Sequence, residues 1–297
     1  MSFKVTQQCK ENNQFGPFTI STKLGAGTYG AVYKVCNKST CFALKESQGA
    51  HTVSRTNDAS EILFLYFCQR LNDAGVTENL QYSYSFYTCV SCNSFLSLNP
   101  IETGDLWKFF AKSKTTLEWK NMYFQVLYGL YVFQKYTDGV HFDLHPGNVL
   151  YSCQKNTGNL GYTEYKVRTK KFYVENTGFT FKIADFGLSY SKSLSICNNT
   201  NLRPWKFYLS IDHEKLEMSI PLKIVDMVTI FRYYNYCNWK FKHPKNKEME
   251  EWLNYWEYLC ETQGVVLTFD YLVELFPDFL EKKGPVVKSF DSTIELP

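Results

Sequence analysis

The rhythm of hydrophobic and polar positions changes near residue 100. From Phe18 to Glu46, short alternating or apolar runs (Phe18–Leu24, Ala31–Cys36, Thr40–Lys45) are separated by clusters of Gly, Asn and Ser. Such runs with turn residues between them predict an antiparallel meander. Ser60 then precedes an eleven-residue stretch from Glu61 to Leu71, which predicts a capped helix ending between Asn72 and Gly75. Two more strands, around Tyr82–Val90 and Phe95–Leu98, flank a Ser-Cys-Asn turn. After Asn99-Pro100, apolar residues recur at helical spacing over Asp105–Lys112 and Thr116–Tyr136, and the second run is long enough for a core helix. Beyond His141 come short strands, a polar stretch rich in Gly and Asn from Cys153 to Gly178, and helical patterns at Ile224–Tyr236, Glu248–Glu261 and Phe269–Glu281. The order predicts an α+β chain with a strand-rich small lobe over 1–98, a helix-rich large lobe over 99–297 and a loosely ordered tail from Gly284.

With 297 residues, 44% hydrophobic and 21% charged, the chain can bury a sizeable core, which excludes wholesale disorder. Thirty-two Lys and Arg against 29 Asp and Glu leave a net charge of +3, too little to announce a nucleic-acid or membrane-surface partner. Lys4, Lys10, Glu11 and Lys23 interrupt the first thirty residues, and no 18-residue apolar run occurs. The expectation is a chain without signal peptide or membrane span, located in the cytoplasm. Ten scattered cysteines fit reduced, mostly buried thiols without disulfides. Cys89-Val-Ser-Cys92 has metal-ligand spacing but no second pair to complete a zinc site, so it reads as a turn.

Four stretches carry candidate chemistry. Gly25-Ala-Gly27-Thr-Tyr-Gly30-Ala-Val32 is a glycine string followed by strand-like residues rather than a helix. A strand, glycine turn and strand can form a flap whose backbone approaches phosphates closely. Cys41-Phe-Ala-Leu-Lys45 ends an apolar strand in an ammonium, and Glu61 supplies a carboxylate able to hold it. His141-Phe-Asp143-Leu-His145-Pro-Gly-Asn148 sets a carboxylate and an amide oxygen five residues apart in a Pro-Gly loop. The first can accept a proton from an attacking hydroxyl and the second can bind Mg²⁺. Lys182-Ile-Ala-Asp185-Phe-Gly187 adds a second acid at the end of an apolar strand, suited to metals that bridge phosphates.

In this order the four stretches resemble the signature set of the eukaryotic-type protein kinase family, over about residues 18–232. The resemblance implies a bilobal kinase-like fold that uses ATP with Mg²⁺ or Mn²⁺ to phosphorylate protein hydroxyls, Ser/Thr rather than Tyr. It implies that Lys45, paired with Glu61, holds the α- and β-phosphates, that Asp143 is the catalytic base, and that Asn148 and Asp185 bind the metals. Gly25, Gly27 and Gly30 would cover the phosphates. Leu24, Val32, Ala43, Leu98 and Leu150 would enclose the adenine, Asn99 to Ile101 would form the hinge, and Asp105 would meet the ribose. Asp226 resembles the buried acid that anchors the catalytic loop.

Several residues depart from the family pattern. Phe142 stands where many kinases have Arg, which implies activity without activation-loop phosphorylation; Ser189, Ser191, Ser193, Ser195 and Thr200 could accept phosphate but read rather as a flexible polar segment. No Ala-Pro-Glu follows the activation segment; Asp212 or Glu214 could take that Glu's place, but no Arg follows Arg232. His145 replaces the usual Lys, and the Asp143–Asn148 loop also resembles that of small-molecule kinases of the aminoglycoside and choline type. A small-molecule phosphotransferase and a nucleotide-binding pseudokinase are therefore the alternatives. Asp143 and Asp185 are farther apart than usual, implying an insert near 152–180 with a hairpin over Tyr162–Tyr173; its Lys166, Arg168, Lys170 and Lys171 read as a solvated charged face. Compact length and an AT-rich-looking composition, with 24 Phe, 22 Tyr and 5 Arg, are similar to divergent kinases of large cytoplasmic DNA viruses, the African swine fever virus type among them.

Overall fold

A computed structural model describes residues 5–27, 30–38, 40–48, 52–91, 94–112, 114–141, 143–154, 161–191, 247–252, 254 and 269–296. The chain divides into two compact units, one of Met1–Arg70, Gln81–Ile101 and Asp185–Leu188, the other of Leu71–Leu80, Glu102–Ala184 and Ser189–Pro297.

The first unit is built on a seven-stranded sheet. Its strands are β1 (Val5–Gln7), β2 (Gln14–Phe15), β3 (Phe18–Gly27), β4 (Gly30–Asn37), β5 (Thr40–Gln48), β6 (Ser85–Cys89) and β7 (Ser94–Asn99). They lie in the order β1-β6-β7-β5-β4-β3-β2, antiparallel except where β1 runs parallel to β6. The three runs expected to form a meander are β3, β4 and β5. Strands β1 and β2 were not expected, because two or three residues are too few to show alternation. Side chains alternate along β5, so Leu44 joins Phe15, Val35, Cys89, Leu96 and Leu98 in a buried cluster while Lys45 points to the other face. Each large apolar side chain buried there contributes about 1.5–3 kcal/mol. Lys10 fixes the N-terminal segment over this cluster, with Nζ 2.6 Å from Glu46 Oε2 and 4.2 Å from the centre of the Tyr33 ring.

The expectation of reduced thiols fails for four cysteines. Cys9 is bonded to Cys89 and Cys36 to Cys41, whereas Cys68 and Cys153 are free. Cys36 and Cys41 face each other in register across β4 and β5, and Cys9 follows the strand that pairs with the one carrying Cys89. Neither proximity shows in a linear sequence. Cys89 is thereby committed, and Cys92 lies outside the described residues.

Helix α1 runs from Thr52 to Asp73, so it begins nine residues before the expected start after Ser60. Residues 52–60 are polar and carry no periodic signal, which hid the first turns. Glu61, Phe64, Leu65, Cys68 and Leu71 form its buried stripe, while Leu63 is exposed. Gly75, at φ 70°, ends the helix: Val76 N donates to Leu71 O at 2.9 Å and Gly75 N to Asn72 O at 3.0 Å, with Leu71 and Val76 both buried.

In the second unit, β8 (Gly104–Asp105) leads into α2 (Leu106–Phe110), whose N-cap is Asp105. Helix α3 (Thr116–Thr137) starts at a capping box of Thr115 and Glu118, and every residue from Asn121 to Gln134 is buried. Strand β9 (Gly139–Val140) and the catalytic-loop sequence follow, then β10 (Val149–Cys153), β11 (Tyr162–Val167), β12 (Lys170–Glu175), β13 (Phe179–Ile183) and β14 (Tyr190–Ser191). The expected helix at Phe269–Glu281 is divided into α4 (Phe269–Leu275) and a 3-10 turn at Pro277–Leu280, since Pro277 lacks the N–H that would continue the ladder. Residues 247–252 are helical; the pattern at Ile224–Tyr236 lies outside the described residues.

The insert forms the expected hairpin, β11 against β12, turning at Arg168 with φ 51°. The tail is a correction: it is ordered as β15 (Val286–Asp291), parallel to β11, with Phe290 buried. Phe124 of α3 packs against Tyr165 and Phe172 of this sheet at 5.2 Å and against Phe276 at 5.1 Å. On the outer face Lys166 pairs with Asp291 at 2.9 Å and Lys171 with Glu164 at 3.1 Å, so the basic residues are partly neutralised within the sheet. Among the described residues no helix is long and apolar enough to cross a membrane.

Candidate active site

In the first unit Lys45, Glu61 and Asp185 come together. Lys45 Nζ lies 2.6 Å from Glu61 Oε1 and 3.2 Å from Asp185 Oδ1. Strand alternation aims Lys45 away from the Leu44 cluster, and the buried stripe of α1 supplies Glu61. Phe186, fully buried, packs its ring 5.8 Å from that of Phe64, one turn along from Glu61. Asp185 has φ 63°, a conformation that costs a non-glycine residue about 1–3 kcal/mol and persists where its surroundings hold it. Burial alone would lower the pKa of Lys45, but the charges of Glu61 and Asp185 outweigh it and hold the ammonium well above the ordinary lysine value.

The glycine string ends β3 and begins β4, with Gly25 opposite Val32 and Gly27 opposite Gly30. A Cβ on Gly30 would stand 2.1 Å from Glu46 O, so only glycine lets β4 approach β5 there. Leu24 is exposed and Ala43 and Leu98 are buried. Asn99 is buried too, its Nδ2 donating to Ser97 O at 3.1 Å, while Ile101 is exposed.

In the second unit a second group forms around Asp143. Asn148 Nδ2 donates to Asp143 O at 2.8 Å and to Asp143 Oδ2 at 3.1 Å. His145 Nδ1 accepts from Gly147 N at 3.0 Å, which in the neutral ring leaves the proton on Nε2, 3.8 Å from Asp143 Oδ2. The loop is fixed from below by His141, fully buried. Its Nδ1 accepts from Asp143 N at 3.3 Å and its Nε2 donates to Ala184 O at 2.9 Å. Ala184 N in turn donates to Asn148 O at 2.8 Å. The sequence reading assigned His141 no role, although its place two residues before Asp143 was the available signal.

Leu150 lies opposite Asp105 in the β10–β8 pair and opposite Lys182 in the β10–β13 pair. Asp105 Oδ1 accepts from Lys108 N at 3.0 Å and so caps α2. Lys182 makes a 2.7 Å ion pair with Glu102 that the sequence reading also missed. Ser189 and Ser191 differ from the flexible polar segment expected there. Both are fully buried, with Ser189 Oγ donating to His141 O at 3.1 Å and Ser191 Oγ to Thr137 O at 2.5 Å. Phe142, Ser193, Ser195, Thr200, Asp212, Glu214 and Asp226 lie outside the described residues.

The Asp185 carboxylate and the Asn148 amide oxygen are hard donors of the kind Mg²⁺ takes, and Asn148 spends its amide nitrogen on Asp143, leaving Oδ1 for a metal. The sequence model of the protein kinase domain matches residues 18–203, more than half of the chain. The chain belongs to the protein kinase family. As a family member it is a phosphotransferase that uses ATP, with proteins as its class of acceptor. No curated protein matches the sequence. The matched span of this kinase includes the glycine turn, Lys45, Glu61, the Asp143 loop and Asp185.

Proposed function

We propose that this protein is an active kinase specific for Ser and Thr hydroxyls. The observation that carries the proposal is the grouping of Lys45 with Glu61 and Asp185, because a buried carboxylate that fixes an ammonium preorganises positive charge for phosphate oxygens. Lys45 holds the α- and β-phosphates, with Gly25, Gly27 and Gly30 covering them. Asp143, oriented by Asn148, accepts the proton of the acceptor hydroxyl as its oxygen attacks the γ-phosphorus and the bond to the bridging oxygen of ADP breaks. His145 presents its Nε2 proton beside Asp143, where it can meet a phosphate oxygen. Asn148 and Asp185 would hold Mg²⁺, which neutralises charge on the phosphates when bound. Leu24, Val32, Ala43, Leu98 and Leu150 would enclose the adenine, with Asn99 and Ile101 at its polar edge and Asp105 toward the ribose.

The burial and bonding of Ser189 and Ser191 support activity without phosphorylation at either position. Composition supports a place among divergent kinases of large cytoplasmic DNA viruses. The Asp143-Leu-His145-Pro loop favours one second reading, transfer to a small hydroxylated acceptor. Labelled ATP offered with mixed proteins, and separately with amino alcohols and sugars, decides between them. Phosphoserine or phosphothreonine is expected; label only in small acceptors would establish the second reading, and nucleotide binding with no transfer to any acceptor would indicate a pseudokinase.

A further inference from the structure

Residues directly opposite one another in an antiparallel pair share a face of the sheet, and successive residues along a strand alternate between faces. In the β5–β7 pair Lys45 lies opposite Ser97 and Ala43 opposite Asn99, while Leu44 lies opposite Leu98. In the β4–β5 pair Val32 lies opposite Lys45. Val32, Ala43, Lys45, Ser97 and Asn99 therefore occupy one face of the first unit's sheet, and Leu98 belongs with Leu44 to the buried cluster of the other. Asn99, rather than Leu98, is the side chain that β7 presents beside Ala43 on the Lys45 face.

A carboxamide in that place brings polar atoms that require partners. Asn99 is only 7% exposed. Its Nδ2 donates to Ser97 O at 3.1 Å and to Ser97 Oγ at 3.0 Å, which fixes the nitrogen corner, since a turned amide would set its oxygen against a carbonyl. Oδ1, at the opposite corner, is buried and accepts no hydrogen bond. Buried acceptors are nearly always paired, so an orphan on the Lys45 face points to a donor supplied by a ligand.

The position names that donor. Lys45 marks where the phosphates are held, and Ala43 lies two residues back along β5, about 7 Å away at the ordinary rise of a strand. A nucleotide laid along this face with its phosphates at Lys45 brings its base to Ala43 and Asn99. Adenine carries an exocyclic 6-amino donor where guanine carries an oxo acceptor. We infer that Asn99 selects the base: Oδ1 accepts a hydrogen bond from the 6-amino group of adenine and disfavours a 6-oxo purine. Because Ser97 holds the nitrogen, the carboxamide cannot turn to offer a donor to an oxo group. The inference rests on the proposed nucleotide site beside Lys45 and goes beyond it by assigning base choice to a side chain.

The full-length wild type and Asn99→Leu are titrated calorimetrically, with Mg²⁺ present, with ATP, GTP and purine riboside triphosphate, which lacks the 6-amino group; transfer rates are measured in parallel. The wild type is expected to bind ATP about tenfold or more tightly than either of the others, because a site built to hydrogen-bond a ligand N–H rejects an analogue lacking it. In Asn99→Leu the ratio of ATP to purine riboside triphosphate affinity is expected to shrink about fivefold or more, through weaker ATP binding alone. Should Asn99→Leu fail to fold, Asn99→Val repeats the comparison. Ratios equal in wild type and variant, with only a lower Tm in the variant, make Asn99 a structural residue and overturn the inference. A wild type that binds ATP and purine riboside triphosphate equally overturns it without any variant. Base selection in binding with no transfer to any acceptor sustains the inference while the reading as an active kinase fails; no binding of any nucleotide overturns both.

Discussion

Lys45 Nζ and Glu61 Oε1 stand 2.6 Å apart although sixteen residues separate them, one on β5 at the centre of the seven-stranded sheet and the other on the buried stripe of a helix. Lys45→Met removes the cation and leaves Glu61 buried without it. Transfer should fall about 10²–10³-fold, as when one preorganised charge or donor is removed from a reacting site. Stability should fall by about 1–3 kcal/mol, the cost of a buried group losing its partner. Steady-state kinetics and denaturant titration measure the two effects separately.

The pH dependence of that pair has a definite sign. The folded pKa of Lys45 is raised, so its contribution to stability is complete below the ordinary lysine value and is lost only as pH rises through the elevated folded value. From about pH 7 to about pH 10 the Tm difference between wild type and Lys45→Met should therefore stay constant. A difference that shrinks steadily over that range would contradict the assigned charge state.

Asn148 orients Asp143 through a neutral donor. Asn148→Asp substitutes a second carboxylate for that donor, and a like charge disfavours ionisation of its neighbour. The acid limb of the kcat/KM profile should move to higher pH. An acid limb unchanged from wild type would separate Asn148 from the base.

The two disulfides make the first unit sensitive to reductant. Cys9–Cys89 spans 80 residues and Cys36–Cys41 spans 5, so the former restrains the unfolded chain more. Reduction should cost about 2–4 kcal/mol, most of it reproduced by Cys9→Ser. Non-reducing peptide maps joining these pairs, followed by thermal melts with and without dithiothreitol, test both statements.

What could be read from the sequence followed from local pattern. The glycine-separated runs became β3, β4 and β5, and the long apolar run became α3 because a helix apolar on all sides must be buried. The candidate site residues could be nominated because a glycine string, a strand lysine and a carboxylate loop have fixed spacings. What escaped was long-range or lacked period. Residues 52–60 are helical without an apolar stripe, β1 pairs parallel with a strand eighty residues away, and Val286–Asp291 becomes a strand only because the insert offers it an edge. Ser189 and Ser191 read as part of a flexible polar segment because nothing local reveals that carbonyls of His141 and Thr137 take their hydroxyl protons.

The most direct measurement is transfer of labelled phosphate from ATP to a protein mixture by wild type, Asp143→Asn and Asp185→Asn, with Mg²⁺ present and the phosphorylated residues identified. Phosphoserine or phosphothreonine made by the wild type and lost in both variants is the predicted result. Equal transfer by Asp143→Asn, or no transfer to protein by a wild type that binds ATP, would contradict the account.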